Sequence, residues 1–155
     1  VLGLCWWAAF TIVGVWAQHF LPGVDFLAPG LLVSLQEERP LGTAWLAVVW
    51  IMLQEGMGTL FFGASLLWYG VLVLGFLLGR TLFDPRSVTL MFLLGLLGGA
   101  AHFLVTFLVM GLEDMTFPMR RALIESVLQA GLLPALWFVA HQLFPERMKY
   151  DERAV

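Results

Sequence analysis

The 155-residue chain is 61% hydrophobic and only 12% charged, with a mean hydropathy of +0.90, whereas soluble domains carry roughly 25% charged residues. Its net charge of -3 is too small to argue for nucleic acid or an acidic ligand, and the single Cys5 forms no internal disulfide and builds no metal site by itself. Apolar stretches recur to the C-terminus, too many for one signal peptide, so the sequence predicts an integral membrane protein with essentially no soluble domain. The first residue is Val1, which leaves room for a short preceding piece.

Six apolar segments follow one another. The first covers about residues 1–17 and is closed by Gln18-His19 and then Pro22-Gly23. The second, about 25–35, is short and carries Pro29-Gly30 near its start; the charged loop Gln36-Glu37-Glu38-Arg39-Pro40 ends it. The third and fourth, 41–53 and 59–79, are uncharged runs on either side of Gln54-Glu55-Gly56. Lipid offers backbone groups no partners, so such runs must be helical, and together they read as a helical hairpin. A carboxylate costs about 2.5–3.5 kcal/mol at the centre of an inserted helix and little at the headgroups, which puts Glu55 at a membrane face. A loop containing Asp84-Pro85 precedes the fifth segment, 88–112. Glu113-Asp114 follows, then Pro118 where a helix would start, and the sixth segment, 119–144, with Pro134 as a candidate kink. The fold expected is all-α, a polytopic bundle of six transmembrane helices over 1–144 with the second and third short or broken. Residues 145–155 form a short solvated tail.

Basic residues orient the bundle. With six spans, one side collects Arg39, Arg80, Arg86, Arg147, Lys149 and Arg153, and the other only Arg120 and Arg121. Both termini are therefore expected in the cytoplasm and Glu55 on the outer face. The seven Trp residues fit indole's preference for the headgroup level, although Trp45 and Trp50 fall inside a run where they would pack against neighbours.

His102 and Gln129 fall at similar depth on adjacent antiparallel segments, which predicts an interhelical hydrogen bond; the sharper alternative is a proton relay or ligand site at His102. A haem is disfavoured, because no two histidines share the mid-membrane depth. Arg121 and Glu125 are an (i, i+4) pair on the sixth segment. Asp25 and Glu55 read as solvated carboxylates on the outer side; together with Glu125 the alternative is a cation or partner site. No Ser-His-Asp order, CxxC, HExxH, phosphate-binding glycine loop or paired-carboxylate motif is present, so neither an enzyme nor a cofactor is expected. Gly75 and Gly79 form a small-xxx-small pair, as do Gly95 and Gly99; internal packing is the plain reading and a homodimer face the alternative.

The hairpin carries a resemblance. Leu53-Gln54-Glu55-Gly56, followed by Leu60-Phe61-Phe62-Gly63-Ala64-Ser65-Leu66-Leu67 and an apolar run to Gly79-Arg80, resembles the MreD family of rod shape-determining proteins. Glu55 stands where that family prefers Asp, Phe62 where it prefers Leu, and Val24-Asp25 where it has Pro-Asp, with Pro29 arriving late. The likeness covers about residues 25–107, and its motifs are mostly glycine and leucine. It implies a non-enzymatic, multi-pass scaffold of the bacterial inner membrane within the cell-elongation (peptidoglycan-synthesis) machinery, the elongasome. The implied partners are a single-span MreC-like protein, and beyond it RodA with its transpeptidase and MreB. The partner-binding positions expected on that basis are Glu55, Gly75, Gly79, Gly95 and Gly99. The family fold also resembles the substrate-binding membrane components of energy-coupling vitamin transporters, which makes such a component the main rival; an accessory subunit of another membrane complex is a third reading.

Overall fold

The computed structural model describes residues 2–37, 40–56, 63–112, 116 and 118–144. Among them the chain is all-α, with helices α1 (Leu2–Phe20), α2 (Ala28–Gln36), α3 (Pro40–Gly56), α4 (Ala64–Gly79), α5 (Val88–Leu112) and α6 (Met119–Leu143). All six expected segments are helices, most within a few residues of the sequence bounds. The fourth begins five residues later, at Ala64, after Gly63 with a left-handed φ of +82°; Thr59, Arg39, Glu113, Asp114 and the tail lie outside the described residues.

The helices alternate in direction. One end of the bundle gathers Gln18, Asp25, Gln54, Trp68 and Glu125, and the opposite end gathers Gln36, Glu37, Arg86 and Trp137. The α5 and α6 helices have 25 residues each and are long and apolar enough to cross a membrane; at about 1.5 Å per residue each is roughly 37 Å long. The nine-residue α2 is different. Leu31, Leu32 and Val33 have no exposed surface, and every residue of the helix except Leu35 is buried. A helix apolar on all sides belongs inside a protein, and α2 is the axis around which the others stand. Pro29 falls in its first turn, where a missing N–H costs nothing.

Glycines bring the helices together. A Cβ on Gly30 would run into the rings of Phe10 and Trp50, so this glycine lets α1 and α3 aromatics lie on α2. On α5, a Cβ on Gly95 would stand 2.5 Å from the Ala130 carbonyl oxygen, and one on Gly99 2.6 Å from that of Ser126. Pro134 has no N–H to offer Ala130, so Gly95 approaches α6 beside a carbonyl that the helix leaves unpaired. Gly75 and Gly79 face Leu97 and Leu90 of α5. The spaces at all four of these glycines are filled by this chain's own residues. The close approach at these glycines is internal packing, the plain reading of the two small-xxx-small pairs.

Three of the seven tryptophans are core residues and not interfacial ones, whereas Trp45, expected to pack against neighbours, is 66% exposed. Trp50, Trp68 and Trp137 are core residues at 0%, 4% and 3% exposure. Each indole N–H is satisfied, by Thr11 Oγ1 at 2.8 Å, Asp25 Oδ2 at 3.0 Å and Gln36 Oε1 at 3.0 Å respectively. A buried indole needs such a partner.

Replacing Gly99 or Gly95 with Leu would push a side chain into backbone that cannot step aside. We expect a loss of about 2 kcal/mol or more in stability, read as a lowered midpoint of thermal unfolding in detergent. Gly131→Leu, where an added Cβ meets nothing within 4 Å, is expected to leave the midpoint unchanged.

Candidate polar cavity at the Asp25 end

After α1, Gly23 takes a left-handed φ of +95°, which turns the chain sharply into Val24-Asp25. The turn drives Asp25 inward, where it is 7% exposed. Its Oδ1 accepts the backbone N–H groups of Leu27 at 2.7 Å and Ala28 at 3.1 Å, so the carboxylate caps the start of α2. The same oxygen accepts Gln18 Nε2 of α1 at 3.4 Å, and Oδ2 accepts Trp68 Nε1 of α4. Gln129 of α6 completes the junction by accepting the Asp25 backbone N–H at 2.8 Å. The expectation of a solvated Asp25 is thereby corrected: a carboxylate that accepts several donors can be buried, and this one joins four helices.

His102 and Gln129 do not pair. Packing of Gly95 and Gly99 against Ala130 and Ser126 sets the α5/α6 register so that His102 faces Glu125, one turn from Gln129. His102 Nε2 lies 3.7 Å from Glu125 Oε2, and its ring meets Trp68 edge-on with centroids 6.2 Å apart. The expected Arg121–Glu125 pair is present, with Nε donating to Oε1 at 2.7 Å. Glu55 lies in the last turn of α3, partly buried, and accepts the backbone N–H of Gly63 at 2.8 Å, tying the two arms of the hairpin together.

These residues surround a cavity of about 230 Å³, lined by Gln18, Asp25, Gln54, Trp68, His102 and Glu125 together with apolar Val105, Val109 and Met110. The amide orientations inside it follow from the carboxylate. An amide that faces a carboxylate or hydroxyl oxygen turns its NH₂ towards it. Tyr69 then accepts from Gln54 Nε2 at 3.1 Å, leaving Gln54 Oε1 without a partner among the described residues. By the same logic Gln18 turns its NH₂ to Asp25, leaving its Oε1 unpartnered. The cavity thus presents two unpartnered amide oxygens, with His102 Nε2 and the Arg121 guanidinium also on its lining. Sequence reasoning singled out His102, but it missed Gln18 and Gln54 as cavity residues; polar groups ending apolar runs were the only signal.

Among the described residues no group of three or more His, Cys, Asp or Glu side chains is placed to hold a metal ion. Comparison with known proteins gives no match: no family model, curated protein or solved structure is found to be similar to this chain.

Removing the hub should be costly. Asp25→Ala strands two backbone donors and the Trp68 indole, and at about 1–3 kcal/mol for each buried unsatisfied group we expect more than 3 kcal/mol of destabilisation. The check is chemical denaturation in detergent; Asp25→Asn, which keeps one acceptor oxygen, should lose less.

Proposed function

We propose that this chain is a non-enzymatic, six-span scaffold subunit of the bacterial inner membrane, of the MreD kind, that holds a single-span partner of the cell-elongation machinery. The membrane reading is supported by the bundle's exterior. Leu74, Leu96 and Val127, on three different helices, are 61%, 63% and 71% exposed, amid many other exposed apolar side chains. Water would penalise so continuous an apolar surface. Enclosed by its neighbours, the nine-residue α2 is about 13.5 Å long and covers only part of a hydrocarbon core of about 30 Å, but it does not face lipid, so lipid does not set its length. Both termini are cytoplasmic on this reading, and the cavity opens outward.

The observation that carries the scaffold reading is a groove of about 810 Å³ between α1 and α3. Helix α1 makes no extensive backbone approach to any other helix. Its Trp6, Trp7 and Phe10 rings reach across to Trp50 and Phe144 instead. Beside them the groove is walled by Leu4, Ile12, Trp45 and Val49, all exposed and apolar, with Ser34 and Thr11 on its lining. A single apolar helix suits such a groove. The partner face is therefore assigned to α1 and α3 instead of the glycines of α4 and α5.

A second reading, a ligand-binding transport subunit, is favoured by the polar cavity. The two separate by what copurifies: a single-span protein in the first case, a small solute and ATPase subunits in the second.

Photoreactive residues at Ile12 and Trp45 should crosslink to the single-span partner, while one at Val127 on the opposite face of the proposal should not. Crosslinks from all three alike, or from none, would sink the groove assignment. Topology is checked separately. Reporter fusions after Arg86 and at the C-terminus should read cytoplasmic, and a fusion at Glu55 periplasmic; a periplasmic C-terminus would remove the six-span arrangement.

A further inference from the structure

Next to the polar cavity lies a second, open groove of about 580 Å³, lined by Leu21, Met119, Ile124 and Leu128 with Arg120 and Arg121. The two spaces share Pro22, Val24, Pro118, Arg121 and Glu125, so they adjoin along one wall. Three chemistries therefore follow one another over a short distance. Deepest are unpartnered acceptors, Gln54 Oε1 at a residue 1% exposed and Gln18 Oε1 at one 9% exposed, with the Glu125 carboxylate nearer the mouth. Two guanidinium side chains come next. Last is an apolar channel on the lipid-facing side of α6, where Ile124 is 51% exposed.

We infer that this composite site binds a phospholipid with a primary-ammonium headgroup, phosphatidylethanolamine in chemical class. The ammonium enters the cavity and donates to Gln18, Gln54 and Glu125. The phosphate lies against Arg120 and Arg121, and an acyl chain fills the groove. Each part matches. An ammonium supplies three donors and no acceptor, which is what the unpartnered Gln18 and Gln54 oxygens and the second Glu125 oxygen lack, while Arg121, already on the first Glu125 oxygen, stands on the phosphate side. Guanidinium is the side chain best suited to phosphate oxygens. A cavity of about 230 Å³ is far larger than one water, whose share of liquid volume is about 30 Å³, and it takes an ethanolamine head with room for water beside it. A choline headgroup fits poorly because its quaternary nitrogen has no N–H to donate, and a glycerol headgroup brings no positive charge to Glu125. The inference rests on the membrane reading above, which places the cavity mouth at the outer headgroup level, but it does not depend on the partner's identity.

The test is lipid retention by the full chain, delipidated in detergent and then offered phosphatidylethanolamine, phosphatidylcholine or phosphatidylglycerol of the same acyl composition, followed by native mass spectrometry. Losing the charge-assisted hydrogen bonds is worth about tenfold in affinity or more, so the ethanolamine lipid should be retained about tenfold more strongly than either other lipid. Gln54→Leu and Glu125→Gln should erase that preference. Because Gln54 is buried and its variant could misfold, Ile124→Trp serves as a surface variant that fills the groove; it should lower retention of the ethanolamine lipid while leaving the thermal midpoint of the delipidated protein unchanged. Equal retention of all three lipids overturns the site. So does equal protection by water-soluble glycerophosphoethanolamine, which would make it a site for a free amine. Either result with a detergent-dependent protein that still copurifies its partner defeats the lipid site alone. A chain extracted without detergent defeats the membrane reading beneath it.

Discussion

One buried carboxylate holds this fold together. Asp25 accepts hydrogen bonds from α1, from the first N–H groups of α2 and from α4, while its own backbone N–H is taken by α6. A charge taken out of water is tolerable only when donors replace the lost hydration, and here Leu27, Ala28 and Gln18 supply them locally while Trp68 supplies one from 43 residues away. The second carboxylate oxygen is satisfied only once α4 has docked. The junction therefore specifies the arrangement as much as it stabilises it, and its byproduct is a cavity with two unpartnered amide oxygens.

The opposite end repeats the strategy with a neutral hub. Gln36, at the last turn of α2, donates to the Pro85 carbonyl at 2.7 Å and accepts the Trp137 indole N–H. Glu37 beside it is 3% exposed and lies 3.7 Å from Arg86. Between the ends, Ser34 and Thr43 pair at 2.7 Å to tie α2 to α3. The short central helix is pinned at both ends and once along its length, and the rest of its surface is apolar packing. In a bilayer this division matters, because lipid tails are as apolar as leucine and give helices little reason to associate. Small residues and polar pins must then select the neighbours. The α5/α6 pair uses the first device through Gly95 and Gly99, and α2 uses the second.

The six helices were legible in the sequence because each lies between unmistakable breaks: Pro22-Gly23, the Glu37–Pro40 loop, Gln54-Glu55-Gly56, Asp84-Pro85 and Pro118. The Arg121–Glu125 pair was legible for the same local reason, one helical turn fixing the separation. What depended on tertiary register was not. His102 and Gln129 sit at matching depth if the connection between α5 and α6 is symmetric, yet glycine packing shifts the pair by a turn. Asp25 follows a turn and precedes a helix, and nothing local says whether such a residue meets water or the ends of three other helices. Tryptophan is ambiguous in the same way. An indole serves equally at a headgroup interface or as a buried ring with one hydrogen-bond donor, and Trp50, Trp68 and Trp137 take the second role because Thr11, Asp25 and Gln36 wait at the right height.

The weakest attachment in the bundle points to where it is incomplete. Helix α1 is joined by the Thr11–Trp50 bond, by the Trp6 indole on the Leu143 carbonyl at 3.0 Å, by Gln18 on Asp25, and by aromatic rings that bridge a gap its backbone does not close. Interhelical hydrogen bonds in membranes contribute only about 0.6 kcal/mol each on average, and ring pairs about 0.5–1.5 kcal/mol. Gly14 against Leu27 and Phe10 over Gly30 seat one face of α1 on α2, and its other face is left open. Its other exposed residues, Leu4, Ile12 and Val13, offer a foreign helix the same dispersion contacts that lipid would. A partner helix in the α1/α3 groove would displace lipid from a concave surface and gain contacts on two sides at once, where a convex face offers one. A concave apolar surface thus gains more per residue from a helix than a convex one does.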